Sequence, residues 1–113
     1  MLTIEGLRQL GVDVDDGLKR CMNNEAFYLR LAGMAIDDRN FARLEQAAAG
    51  GDWTDAFEAA HALKGALGNL SLTPLYTTIC ELTELLRQGQ PVDCGDLIAR
   101  VKREREALLA LRG

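Results

Sequence analysis

Apolar positions recur every three or four residues through most of the chain, and nowhere do they alternate every second residue over the length of a strand. This spacing predicts helices, and the residues between them supply the start and stop signals. Thr3 is placed to cap a short helix from Ile4 to Leu10, closed by Gly11. Asp13 to Asp16 offers cap oxygens and first-turn negative charge to a second short helix, ending near Asn23-Asn24. From about Glu25 to Ala49, Phe27, Leu31, Met34, Phe41, Leu44 and Ala48 predict one long helix, with Asp37-Asp38 in its middle as a kink or solvated turn. Gly50-Gly51 stops it. Asp52 then caps a helix from Trp53 to about Leu70, with Asp55 in its first turn. Thr73-Pro74 reads as a cap followed by proline at the first helical position, opening a helix to Arg87 or Gln88 that stops at Gly89. After Pro91, Asp93 or Cys94 begins a last helix reaching Leu111. Four main helices, starting near residues 25, 53, 74 and 94 with short loops between them, predict an all-α fold. The architecture expected is an antiparallel four-helix bundle with one or two short N-terminal helices. No Gly/Ser/Pro linker and no internal repeat divides the chain, so residues 1–113 read as a single domain.

Composition agrees with helix and narrows function. Apolar residues are 48% of the chain and aromatics 5%, with only two prolines, which favours helix over sheet. A chain of 113 residues can bury a core but is too short for a nucleotide-binding domain plus a substrate domain. The net charge of −4 argues against a nucleic-acid binder, which needs a basic patch to displace counterions. The basic run Arg100, Lys102, Arg103, Arg105 and Arg112, interleaved with Glu104 and Glu106, reads as a solvated terminal helix with i,i+4 pairs. Cys21, Cys80 and Cys94 are odd in number and widely spaced, so they predict free thiols in a reducing compartment rather than a disulfide framework. With no CxxC and a single histidine, no metal site and no cofactor are expected. The N-terminus lacks a signal-peptide apolar region, and no uncharged stretch suits a bilayer, so the expectation is a cytoplasmic protein without membrane contact. Met1 and the end at Gly113 suit a free-standing domain.

One helix carries chemistry. At about 100° per residue, Trp53, Phe57, Ala60, Leu63, Leu67 and Leu70 fall in one sector, the predicted core stripe. His61, Lys64, Gly65 and Gly68 form a second stripe beside it. His61 is therefore expected at the core margin with its imidazole reaching solvent, and Lys64 one turn along the same side. Gly65 and Gly68 each cost up to about 1 kcal/mol relative to Ala in a helix interior. A stripe without side chains on the face of the only histidine lets another backbone approach closely.

His61-Ala62-Leu63-Lys64-Gly65 resembles the His-x-Leu-Lys-Gly signature of histidine-containing phosphotransfer (HPt) domains. The likeness extends to Gly11-Val12-Asp13, Gly17-Leu18, Glu25 to Leu31, Gly51-Asp52-Trp53, Ala59-Ala60-His61, Cys80-Glu81-Leu82 and Arg87-Gln88-Gly89. The chain has Ala66 where the family often has Ser, Leu67 where a smaller residue is common, and Ser71 where Gly is usual. The resemblance implies a phosphorelay. His61 would accept a phosphoryl group from a receiver-domain aspartate, at Nε2 by family likeness, and pass it to another receiver. Lys64 would stabilise charge, and Gly65 and Gly68 would give the receiver access. The implied partners are response-regulator receiver domains and a sensor histidine kinase, hybrid kinases included, around a monomeric carrier. Without a P-loop or an acidic magnesium cluster on the histidine face, the chain cannot be a complete kinase; the resemblance implies a phosphocarrier rather than an enzyme, whose partner would bring the metal and most catalytic groups. Thr83 or Arg87, on the next helix, would face His61 if the two helices pack antiparallel. The alternative is an adaptor of the same shape that docks receiver or kinase domains without carrying phosphate; such a relative would commonly lack His61 or Lys64, and both are here.

Overall fold

The computed structural model describes all 113 residues and contains seven helices and no strand. Two short helices, α1 (Ile4–Gln9) and α2 (Val14–Arg20), precede α3 (Glu25–Ile36), α4 (Asn40–Ala49), α5 (Trp53–Gly68), α6 (Leu75–Leu86) and α7 (Gly95–Ala110). The caps are largely those that local chemistry dictates. Thr3, Asp13 and Asp52 each accept the backbone N–H three residues on, from Gly6, Asp16 and Asp55. Asn24 does the same for Phe27.

The region predicted as one long helix is two. The chain leaves the helix at Asp37 and re-enters at Asn40, whose N–H is taken by the Asp38 carboxylate at 2.8 Å. An aspartate that competes for local amides favours such a turn over an unbroken helix. α4 then runs back along α5 through the Gly50-Gly51 turn, where Gly51 takes a positive φ of 75°. Arg43 on α4 reaches across to Asp55 and Glu58 on α5. Helices α4, α5, α6 and α7 make the four-helix bundle, and α3 extends its first arm beyond the break. The inward face of α5 is small: Ala56, Ala59 and Ala60 are fully buried, which lets its neighbours approach closely around Leu63 and Leu67.

The basic run of α7 is tied to other elements rather than to its own helix, contrary to the i,i+4 expectation. Arg100 meets Glu81, Lys102 meets Glu45, and Arg112 meets Asp37. Arg105 lies 4.5 Å over the Phe41 ring while its Nε donates to the carbonyl of Ile36, closing the end of α3.

The N-terminal helices hold the segment where α5 ends. Thr73 was expected to cap α6 with Pro74 as its first residue, but Pro74 takes the cap position and α6 starts at Leu75; the Thr73 hydroxyl instead accepts from Asp13 N–H and donates to the Gly11 carbonyl, both at 3.0 Å. Ser71, in the left-handed region at φ 52°, donates its hydroxyl to the Asp16 carboxylate. Serine thus occupies a conformation that favours glycine because a side-chain partner is waiting there. Gly17 packs so tightly that a Cβ would fall 2.4 Å from the Tyr28 ring and 2.5 Å from the Leu70 carbonyl oxygen.

Tyr28 is fully buried, and its hydroxyl donates to the Leu70 carbonyl at 3.0 Å. Burial pushes its phenol up to about 12. A phenol whose folded pKa lies above its unfolded value stabilises the fold fully below the unfolded pKa and loses that contribution as pH rises through the folded one. Denaturant midpoints should therefore fall between about pH 10 and 12, with Tyr28 contributing about 2–3 kcal/mol of the loss. Tyr28→Phe should cost about 1 kcal/mol at neutral pH and flatten the alkaline slope. An unchanged slope in that variant would remove Tyr28 from the account.

Candidate functional site

The stripe predicted beside the core stands on the outer face of α5. Its first member, His61, is exposed, between fully buried Ala60 and the exposed Ala62. The imidazole does not stand free. It stacks on the half-buried Phe57 ring one turn earlier, with centroids 5.8 Å apart and planes 20° from parallel. Phe57 was assigned to the core stripe; it lies at the rim of the core, with its ring shared between the bundle and the imidazole.

Lys64 lies half-buried one turn beyond His61 and forms no ion pair. Its ammonium is felt by Glu84 on α6. That carboxyl is held below its ordinary range first by the Arg87 guanidinium and then, against the opposing effect of partial burial, by the Coulombic pull of Arg87 and Lys64. Arg87 grips Glu84 with two hydrogen bonds, Nε to Oε2 at 3.1 Å and Nη2 to Oε1 at 2.7 Å. Its guanidinium carbon lies 5.4 Å from the centroid of the Phe57 ring. Of Thr83 and Arg87, offered as alternatives to face the imidazole, Arg87, which caps the end of α6, is thus directed to Phe57 and Glu84. Thr83 is fully buried and donates to the Ile79 carbonyl of its own helix at 2.7 Å, so it has no part at His61.

The two glycines of the stripe differ. At Gly65, exposed, an added Cβ would meet nothing within 4 Å, so no contact inside the chain asks for glycine there. At Gly68, a Cβ would fall 2.8 Å from Cε1 of Tyr76. That glycine makes room for the Tyr76 ring between α5 and α6, an internal reason that differs from the expected receiver access. Asn69, at the end of α5, is exposed and caps the helix through its backbone N–H to the Gly65 carbonyl.

The site is thus one exposed imidazole, one unpaired cation a turn away and one bare helix position. No group of three metal-ligating side chains comes together anywhere in the fold. A family model described as Hpt domain matches residues 38–111, a span that includes α4 to α7 and the whole of this face.

The chain belongs to the Hpt family.

Hpt domains are helical bundles that serve as phosphocarriers rather than enzymes, and they work with receiver domains and histidine kinases in two-component phosphorelays. This Hpt domain accordingly has a phosphotransfer role in two-component signalling. No helix is long and apolar enough to cross a membrane. Searches of curated proteins and of solved structures returned no significant match to the chain. The aromatic partner of His61 escaped the sequence reading, although the signal was present: Phe57 and His61 are four residues apart, the spacing at which helical side chains meet.

Proposed function

We propose that His61 is the phosphoacceptor of this Hpt domain, taking a phosphoryl group from the aspartyl phosphate of one receiver domain and giving it to the aspartate of another. The observation that carries this reading is the exposed imidazole of the chain's only histidine, set beside an unpaired lysine and a glycine with open space around it. In the forward step, the lone pair of the unprotonated ring nitrogen attacks phosphorus. An N–P bond forms, and the P–O bond to the aspartyl carbonyl breaks with its electron pair, regenerating the carboxylate. The proton on the other ring nitrogen stays through the attack and is afterwards free to exchange with water. Transfer onward is the same step reversed on a second receiver.

The barrier in such a transfer is lowered by alignment and by positive charge that stabilises the negative equatorial oxygens. Lys64 supplies a point charge on the same face, and its lack of a carboxylate partner leaves it free to meet those oxygens. The receiver brings the magnesium and the other catalytic groups. We further propose that residues 1–113 act as one unit, as a monomer in the cytoplasm, with a sensor histidine kinase upstream.

Incubation with a phosphorylated receiver should yield an acid-labile, alkali-stable phosphoprotein. A folded chain that takes no label from any receiver of its source cell would overturn the reading. Lys64→Ala should leave the helical signal unchanged and slow transfer about 10-fold, the loss of one well-placed charge. Unchanged transfer rate and unchanged phosphohistidine lifetime would remove Lys64 from the chemistry. Gly65→Gln places a side chain in the open space above the helix. It should raise the receiver concentration needed for half-maximal transfer about 10-fold or more, and should not lower stability, since glycine is the poorer helix former. Affinity equal to wild type would show that the receiver does not approach there.

A further inference from the structure

An imidazole on an exposed helix face turns readily about its last side-chain torsion, because that torsion has broad, shallow wells. A nucleophile that must point one nitrogen along the line of attack loses rate when it samples other orientations. In this structure the ring has a partner on its own helix. It stacks on Phe57, with centroids 5.8 Å apart, and the same Phe57 ring carries the Arg87 guanidinium at 5.4 Å. Arg87 in turn is fixed by two hydrogen bonds to Glu84. The contacts run as a chain from α6 to the imidazole: carboxylate, guanidinium, phenyl ring, imidazole.

We propose that Phe57 is a positioning residue for phosphoryl transfer, its ring held by Arg87 and stacked on His61 so that the imidazole keeps one orientation before the receiver arrives. This rests on the reading of His61 as the phosphoacceptor. Phe57 touches neither the phosphoryl group nor the receiver's carboxylate; it acts through His61. Arg87 acts one step further back, by restraining the phenyl ring. The arrangement needs an aromatic ring at residue 57 and a cation at residue 87, since a stack of rings and a cation over a ring both depend on the ring's charge distribution. An aliphatic side chain fills the same rim of the core without either.

Single-turnover transfer from a phosphorylated receiver, measured over a range of concentrations of the Hpt domain, separates positioning from docking. Phe57→Leu, which keeps the rim of the bundle apolar, should lower the maximal rate about fivefold while the half-saturating concentration stays within about twofold of wild type. Phe57→Tyr, which restores a ring, should recover the maximal rate. Arg87→Met, at an exposed position where folding is not at stake, should give a smaller drop of the same kind. Three-bond carbon couplings across the His61 side chain, read by NMR without any phosphoryl donor, should move toward rotamer-averaged values in Phe57→Leu and stay fixed in Phe57→Tyr.

A maximal rate unchanged in Phe57→Leu, a tyrosine variant as slow as the leucine one, or an effect confined to half-saturation would each overturn the proposal. So would couplings that Phe57→Leu leaves unchanged. If the wild-type protein takes no phosphoryl group, the phosphoacceptor reading fails on that arm, and the couplings still decide whether Phe57 holds the ring.

Discussion

His61→Gln abolishes phosphorylation by a receiver, with label reduced at least about 100-fold and the circular dichroism spectrum unchanged; that is the expected result with the largest effect. Glutamine keeps roughly the length and polarity of histidine but has no ring nitrogen with a free lone pair, and an amide nitrogen does not attack phosphorus. The fold does not depend on the imidazole, which is exposed and whose one aromatic contact is with a neighbour on its own helix. Because the sequence contains a single histidine, no second imidazole is present to take over. Acid lability of the product, followed by mass mapping, measures the outcome. Label retained at the wild-type level in the variant would place the acceptor on another residue and undo the site assignment.

Gly17→Ala is expected to have the largest effect on stability of any single methyl group added to this protein. In an exposed helix position the change would favour the folded state by up to about 1 kcal/mol, because alanine is the better helix former. Here the new Cβ would sit 2.5 Å from the Leu70 carbonyl oxygen and 2.4 Å from the Tyr28 ring. A phenyl ring can tilt, but the carbonyl belongs to the backbone at the end of α5, and Tyr28 is anchored to that same oxygen by its hydroxyl. Relief requires α2 to move away, which pulls on the Asp16–Ser71 and Asp13–Thr73 contacts. Overpacking of this kind costs 1–3 kcal/mol or more, so a net loss of about 2–3 kcal/mol is expected, lowering the melting temperature by about 10 °C. Thermal unfolding measures it. An equal or higher melting temperature would show that α2 docks less tightly than the structure has it.

Both expectations draw on features that stand in different relation to the sequence. The placement of His61, Lys64 and Gly65 on one side of α5 was legible because helical geometry converts spacing directly into a shared face, and because α5 is long and well capped by Asp52. The caps at Thr3 and Asp13 were legible for the same reason: each bond spans three residues. What lay outside local spacing was not legible. Gly68 looked like Gly65 until the fold brought Tyr76 beneath it. Thr73, followed by proline, carried every local sign of a helix cap, yet its hydroxyl found the Gly11–Asp13 backbone sixty residues away in sequence. The basic run of α7 looked like a helix paired with itself, but acidic residues of α4, α6 and the Asp37 turn lie closer to those cations once the bundle forms. Phe57 was read as core since an aromatic residue on an apolar stripe usually is, and only its position at the rim gives its ring to the imidazole. Asp37-Asp38 was marked as a kink or turn, and the structure makes it a full break.

The contacts that join α1 and α2 to the end of α5 bear on how this carrier could be moved into other proteins. The portion shared with the wider family starts at residue 38, yet Leu7, Val14 and Tyr28 are buried in the same core as Leu63 and Leu82. A graft cut at the shared boundary would strip the cover from Leu70 and leave its carbonyl without the tyrosine. The transplantable cassette is therefore longer than the part that likeness alone marks out, and a fusion linker joined to its N-terminal side belongs ahead of α1.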